Sequence, residues 1–208
     1  MNRKNVETIF CFDSSALIVL HRYYGQDLIS DIWEELEQLF RNNKIISHKI
    51  VFDELTTQAR NQDSLSKWIS SKRVHFKDIT GTQAKFVESI INKFPKLIDP
   101  DREKDEADPW LIALVLEERS QGNLFSPNRE YILVSQENVR SPHKIPAVCK
   151  HYGIKHQSLK GFFKYLGWQF KLEKIWSSVR TFLIGIFAFV FDINTPIAKI
   201  PALSVHFE

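Results

Sequence analysis

The chain has 208 residues, 43% of them apolar and 25% charged, so it holds one main core with room for a small appendage and is neither fibrous nor low-complexity. Two cysteines, Cys11 and Cys149, have no spacing suited to a zinc site, a redox motif or a disulfide framework, and point to a reducing cytoplasm. The net charge of +3 is too small to identify a polyanionic partner by itself.

The opening MNRKNVETIFCFDSS reaches Asp13 before any apolar run long enough for a signal peptide. Glu7 to Phe12 is rich in β-formers, and Asp13, Ser14 and Ser15 are capping types ahead of the apolar ALIVL run. Strand, tight turn and helix follow one another there. Asp31 to Phe40 sets Ile32, Trp33, Leu36, Leu39 and Phe40 at helical spacing, and Asn42 and Asn43 end that helix. A short strand around Ile45 and Ile46 leads through Ser47 into a helix from Ile50 that carries Asp53 and Glu54.

Residues 64–72 and 82–94 read as helices, with a short strand in HFKDI between them. The run DPDREKDEAD, residues 99–108, is a charged loop. Asp108 is expected to cap a helix that begins at Pro109 and presents Trp110, Leu111, Ala113, Leu114, Val115 and Leu116. Tyr131 to Val134 is a strand ending in Ser135, Gln136 and Glu137. Ile145 to Tyr152 is a helix, Ile154 to Gln157 a last strand, and Leu159 to Trp168 a last helix. Phe162, Phe163, Tyr165, Leu166 and Trp168 are expected in the core rather than on a base-stacking platform. Alternating strands and helices, without an internal repeat, predict an α/β domain of about 170 residues around a parallel sheet covered on both faces.

In such sheets ligands bind beyond the carboxyl ends of the strands. Asp13 and Glu137 sit at strand ends, and Glu54 and Asp108 lie near helix starts facing the same edge. Each acid also has a plain structural explanation, as a cap or a solvated charge. Convergence of the four would be costly without a cation, since two charges about 4 Å apart repel by roughly 4 kcal/mol at an effective dielectric near 20. Carboxylates without His or Cys select Mg²⁺ or Mn²⁺, ions that activate water against phosphodiesters. Charge asymmetry agrees: residues 1–137 hold 18 Lys/Arg against 22 Asp/Glu, and residues 138–208 hold 10 against 3. The fold can thereby set an acidic pocket beside a basic surface.

In this order the motifs resemble those of PIN-domain nucleases, in a branch related to VapC-type toxin ribonucleases. FDSSALI, residues 12–18, is similar to the family's opening motif, VFDEL supplies Glu54, and ADPWLIAL supplies Asp108. Ser135, Gln136 and Glu137 keep the fourth position with Glu in place of the usual Asp, and Ser15 stands where Asn is more frequent. The resemblance, over about residues 7–168, implies a PIN-like three-layer α/β/α fold spanning 1–170, followed by an apolar and basic C-terminal extension, 171–208. It implies a cytoplasmic endoribonuclease that binds Mg²⁺ or Mn²⁺ through Asp13, Glu54, Asp108 and Glu137, with Ser14, Ser15 and Ser135 orienting groups or substrate. The substrate would be single-stranded or transfer RNA, the state a homodimer, and the biological role a toxin with an antitoxin partner.

Arg22, beside His21, Tyr23 and Tyr24, is a further candidate for phosphate contact. The apolar stretch 181–191, TFLIGIFAFVF, is too short to span a membrane, and packing or a partner contact is expected of it. Two other readings stay open: a non-catalytic PIN-like RNA- or partner-binding module, and a structure-specific DNA nuclease.

Overall fold

The computed structural model describes residues 6–27, 29–57, 64–99, 106–121 and 128–168. The chain divides into units Met1–Gly167 and Trp168–Glu208. The stretch 181–191 and residues 100–105 of the expected charged loop lie outside the described residues.

Among the described residues five strands, β1 (Glu7–Phe12), β2 (Ile45–His48), β3 (Phe76–Lys77), β4 (Arg129–Val134) and β5 (Lys155–Gln157), form one sheet in the order β3-β2-β1-β4-β5. Every pairing is parallel, with Phe10 opposite Ile45 and Ile132, and Ser47 opposite Phe76. The helices between and after the strands are α1 (Ser14–Tyr23), α2 (Ser30–Arg41), α3 (Lys49–Thr57), α4 (Ser64–Ser70), α5 (Gly81–Lys93), α6 (Ala107–Ser120), α7 (Ile145–His151) and α8 (Leu159–Tyr165). They flank the sheet and make it a three-layer α/β/α fold, as the sequence predicts.

The central strands are apolar because helices cover both of their faces. The last four residues of β1 and of β4 are all buried, so the strands show continuous runs rather than alternation. Helix α6 is apolar around its circumference for the same reason: Leu111, Ile112, Ala113, Leu114 and Val115 are all buried. Among the described residues no helix is long and apolar enough to cross a membrane.

Helix ends follow local chemistry. At the end of α2, Asn43 takes the left-handed conformation (φ 53°). Asn43 N–H then donates to the Phe40 carbonyl and Lys44 N–H to that of Leu39, the paired bonds that satisfy carbonyls at a helix C-terminus. Gly153 (φ 61°) does the same after α7, where Ile154 N–H reaches the Cys149 carbonyl at 2.8 Å.

Helix α8 packs its aromatics on the first strand, as expected for Phe162 and Phe163, which are buried; Tyr165 is half exposed. The Phe162 ring meets Phe10 and Phe12 edge-on, at 4.8 and 5.0 Å between centroids. Phe162→Ala is expected to destabilise the fold by about 3–5 kcal/mol, read as a lower urea midpoint at unchanged m-value.

Candidate active site

Strands β2 and β3 lie on one side of β1 and strands β4 and β5 on the other, so the chain reverses its winding direction between β1 and β4. Crevices at such switch points, beyond the strand carboxyl ends, are where α/β sheets bind ligands. Asp13 follows β1 and Ser135 to Glu137 follow β4. A cavity of about 480 Å³ opens there. Asp13, Ser14, Ser15, Glu54, Asp108 and Glu137 line it, together with Ile18, Lys96, Leu97, Ile98, Asp99, Glu106, Ala107 and Lys144. All four predicted acids therefore share one cavity, each delivered by a different segment.

Asp13 is buried and caps α1. Its Oδ2 accepts the Ser15 backbone N–H at 3.1 Å and also the Ser15 hydroxyl. The Ser15 Oγ in turn accepts the Gln136 N–H at 3.0 Å, and Asp13 N–H donates to the Val134 carbonyl at 2.9 Å. Capping and site-building thus coincide: one serine fixes the carboxylate and ties the loop after β1 to the loop after β4.

Asp108 lies in the first turn of α6, whose N-cap is Glu106. The helix begins two residues earlier than Pro109, and Asp108 is not its cap. Pro109 still fits, because the first N–H groups of a helix lack intrahelical partners and its missing one is no loss. Glu54 sits in α3, which starts directly after β2.

Glu137 is held at both oxygens. Its Oε2 accepts the Ile145 N–H that opens α7, at 2.8 Å, and its Oε1 lies 3.3 Å from the Lys144 ammonium. Gln136 is fixed similarly, its Oε1 accepting the Leu159 N–H at 3.1 Å.

Two predicted residues do not line the cavity. Ser135 is fully buried, and its hydroxyl pairs with His156 Nε2 at 2.9 Å, so it joins β4 to β5. Burial pushes His156 down to about 4, which leaves that imidazole neutral near pH 7. Arg22, exposed in the last turn of α1, also lies off the cavity.

The electrostatics are those of crowded carboxylates. Burial pushes Asp13 up to about 6 although both Ser15 bonds oppose the shift, and Glu137 and Glu54 add to it. Asp108 is pushed up to about 8 by burial, then by Glu137 and Asp13, against Lys144. Burial also works against the charge of Lys144, yet Glu137, Asp108 and Glu106 hold it above the ordinary lysine range.

Donor chemistry fits a hard divalent cation: oxygen ligands alone, with excess negative charge. Among the described residues no three His, Cys, Asp or Glu side chains stand close enough to hold one ion as they are placed. The donors share a cavity without converging on one point.

Sequence reading missed Lys96 and Lys144. The signal for Lys144 was its place immediately before the IPAV helix start, seven residues after Glu137. It also missed a buried chain behind the site. His48 Nε2 meets Gln83 Oε1 at 3.2 Å, Gln83 Nε2 donates to Glu117 Oε2 at 2.6 Å, and the Thr80 hydroxyl donates to Glu117 Oε1 at 2.6 Å. This chain joins the start of α3 to α6, the helices that carry Glu54 and Asp108.

A family model described as a domain of unknown function (DUF4411) matches residues 10–170. No curated protein matches the chain.

Proposed function

The chain belongs to the DUF4411 family, and we propose that this member is a divalent-metal-dependent endoribonuclease of the PIN type. The observation that carries the reading is the single cavity at the β1/β4 switch point, lined by Asp13, Glu54, Asp108 and Glu137. Burial and mutual repulsion raise two of these acids, which is the environment a cation relieves. Asp13, Glu54 and Asp108 would hold Mg²⁺ or Mn²⁺, with Glu137 as the fourth acid. The bound ion supplies positive charge that lowers the pKa of water and offsets charge on the phosphate.

The protein's own groups set the geometry of attack. Ser15 fixes Asp13 through two bonds to one oxygen, which leaves the other oxygen outside that arrangement. Carboxylates facing the cavity orient a water and take up its proton as its oxygen adds to phosphorus. The bond from phosphorus to the ester oxygen opposite breaks, and that oxygen keeps the bonding electrons and takes a proton from solvent. The Ser14 side of the cavity offers a hydroxyl to the phosphate. The toxin role, an antitoxin partner and a homodimer rest on the resemblance alone.

A second reading, an RNA- or partner-binding module without catalysis, is favoured by one observation: both Glu137 oxygens are already engaged. Incubation of the full chain with single-stranded RNA, transfer RNA and flapped DNA, each with Mn²⁺ or with EDTA, separates the readings. Cleavage of RNA in Mn²⁺ alone is expected. Binding without turnover would select the module, and preference for the flap would select a DNA nuclease.

A further inference from the structure

The cavity carries a charge problem that metal binding does not remove. Among the described residues that line it are six with carboxylate side chains, Asp13, Glu54, Asp99, Glu106, Asp108 and Glu137, and two lysines. A single divalent ion leaves the balance negative when the acids are ionised, and an RNA phosphate brings more negative charge. Approach of a polyanion to such a surface requires a positive contact inside the cavity.

Lys144 is placed for that contact. It lines the cavity with the acids, and its side chain is 46% exposed, so solvent and ligands reach it. Its ammonium has three N–H donors; Glu137 Oε1 at 3.3 Å is a long partner for one of them. The same Glu137 holds Ile145 N–H with its other oxygen. One carboxylate therefore fixes both the backbone at the start of α7 and the lysine immediately before it. Asp108, in the same cavity, has no hydrogen-bond donor among the described residues. The four acids therefore fall into different settings, with Glu137 already occupied by the protein's own donors.

Resting on the nuclease reading above, we propose that Lys144 binds a phosphate of the RNA strand, and that Glu137 is its positioning residue rather than a metal ligand. Metal binding then belongs to Asp13, Glu54 and Asp108. Lys96, on the turn Pro95–Leu97, lines the same cavity without such a fixed carboxylate partner among the described residues and serves as the internal comparison.

The test measures affinity for a short single-stranded RNA by fluorescence anisotropy over a salt series without divalent metal, so that cleavage does not enter. Lys144→Gln is expected to weaken binding about tenfold and to reduce the slope of log affinity against log salt by about 0.7, the value for one phosphate contact on a single strand. Lys144→Arg should restore most of both. Lys85→Gln, on exposed α5 surface outside the cavity, should change neither. Mn²⁺ titration calorimetry should find Glu137→Gln still binding metal and Asp108→Asn not.

An unchanged slope in Lys144→Gln, or a slope lost in Lys96→Gln instead, overturns the lysine assignment. Loss of Mn²⁺ binding in Glu137→Gln as complete as in Asp108→Asn overturns the division of the acids. Should the unaltered protein bind RNA with the expected slope but neither bind Mn²⁺ nor cleave, the nuclease reading fails and the lysine contact stands. Absence of RNA binding in this series, with cleavage still seen in Mn²⁺, overturns the lysine assignment and leaves the nuclease reading; absence of both binding and cleavage overturns both.

Discussion

Asp13→Asn is expected to reduce Mn²⁺-dependent RNA cleavage on the order of 10³-fold or more while leaving the protein folded. The substitution separates two roles of one side chain. As the cap of α1, Asp13 uses a single oxygen, Oδ2, for both Ser15 bonds. The Asn amide oxygen takes that place, and Asn caps as well as Asp. As a metal donor, the residue needs its second oxygen, and in Asn an NH₂ group stands there, which cannot ligate a cation. Removal of a charge already disfavoured by burial, in a group pushed up to about 6, does not weaken the fold. Loss of several kcal/mol of metal-derived transition-state stabilisation, of which about 4 corresponds to a thousandfold in rate, falls on turnover alone. Single-turnover cleavage beside a thermal melt provides the measurement. Cleavage at the unaltered rate would sink the proposed function.

The acids were legible from sequence to the extent that local chemistry positions them. The β1 run ends at Asp13 because Asp caps α1, and both halves of that statement are written in ETIFCFDSS. The parallel sheet was legible because strands covered on both faces read as unbroken apolar runs. What stayed hidden depended on neighbours distant in sequence. A hydroxyl at Ser135 looks the same whether it faces a cavity or the next strand, and only the pairing of Val134 with Gln157 reveals that His156 takes it. Lys144 looks like a solvated base until a loop folds back to bring Glu137 to within 3.3 Å. Asp108 was misread as a cap because Pro is frequent at the first helical position, although its missing N–H is equally harmless one or two residues further in.

Asp108→Asn should raise the stability of the metal-free protein near pH 8 and leave it nearly unchanged near pH 4. The folded protein holds Asp108 at about 8 and Asp13 at about 6, against an ordinary value of 3.8. A carboxyl whose folded pKa is raised binds its proton more tightly when folded. Its contribution is fully present below about pH 4 and is lost as pH rises through the folded value. Metal-free wild type should accordingly lose stability between about pH 4 and pH 8, and the Asn variant should lose much less. At about 1.4 kcal/mol per unit, reduced by relaxation around a partly exposed group, the gain at pH 8 is expected at roughly 2–3 kcal/mol, or about 5–10 °C in the thermal midpoint. Excess Mn²⁺ should act on wild type in the same direction, by about 2.7 kcal/mol at a hundred times its Kd, and should have little effect on Asp108→Asn. Melts at pH 4 and pH 8, with EDTA and with Mn²⁺, contain all four comparisons. A midpoint at pH 8 unmoved by Asp108→Asn would show that neither burial nor the neighbouring carboxylates hold Asp108 above its ordinary value. Stabilisation by the neutral residue and by the cation, each cancelling the need for the other, would locate the fold's least comfortable charge at the point where a cation is most strongly drawn.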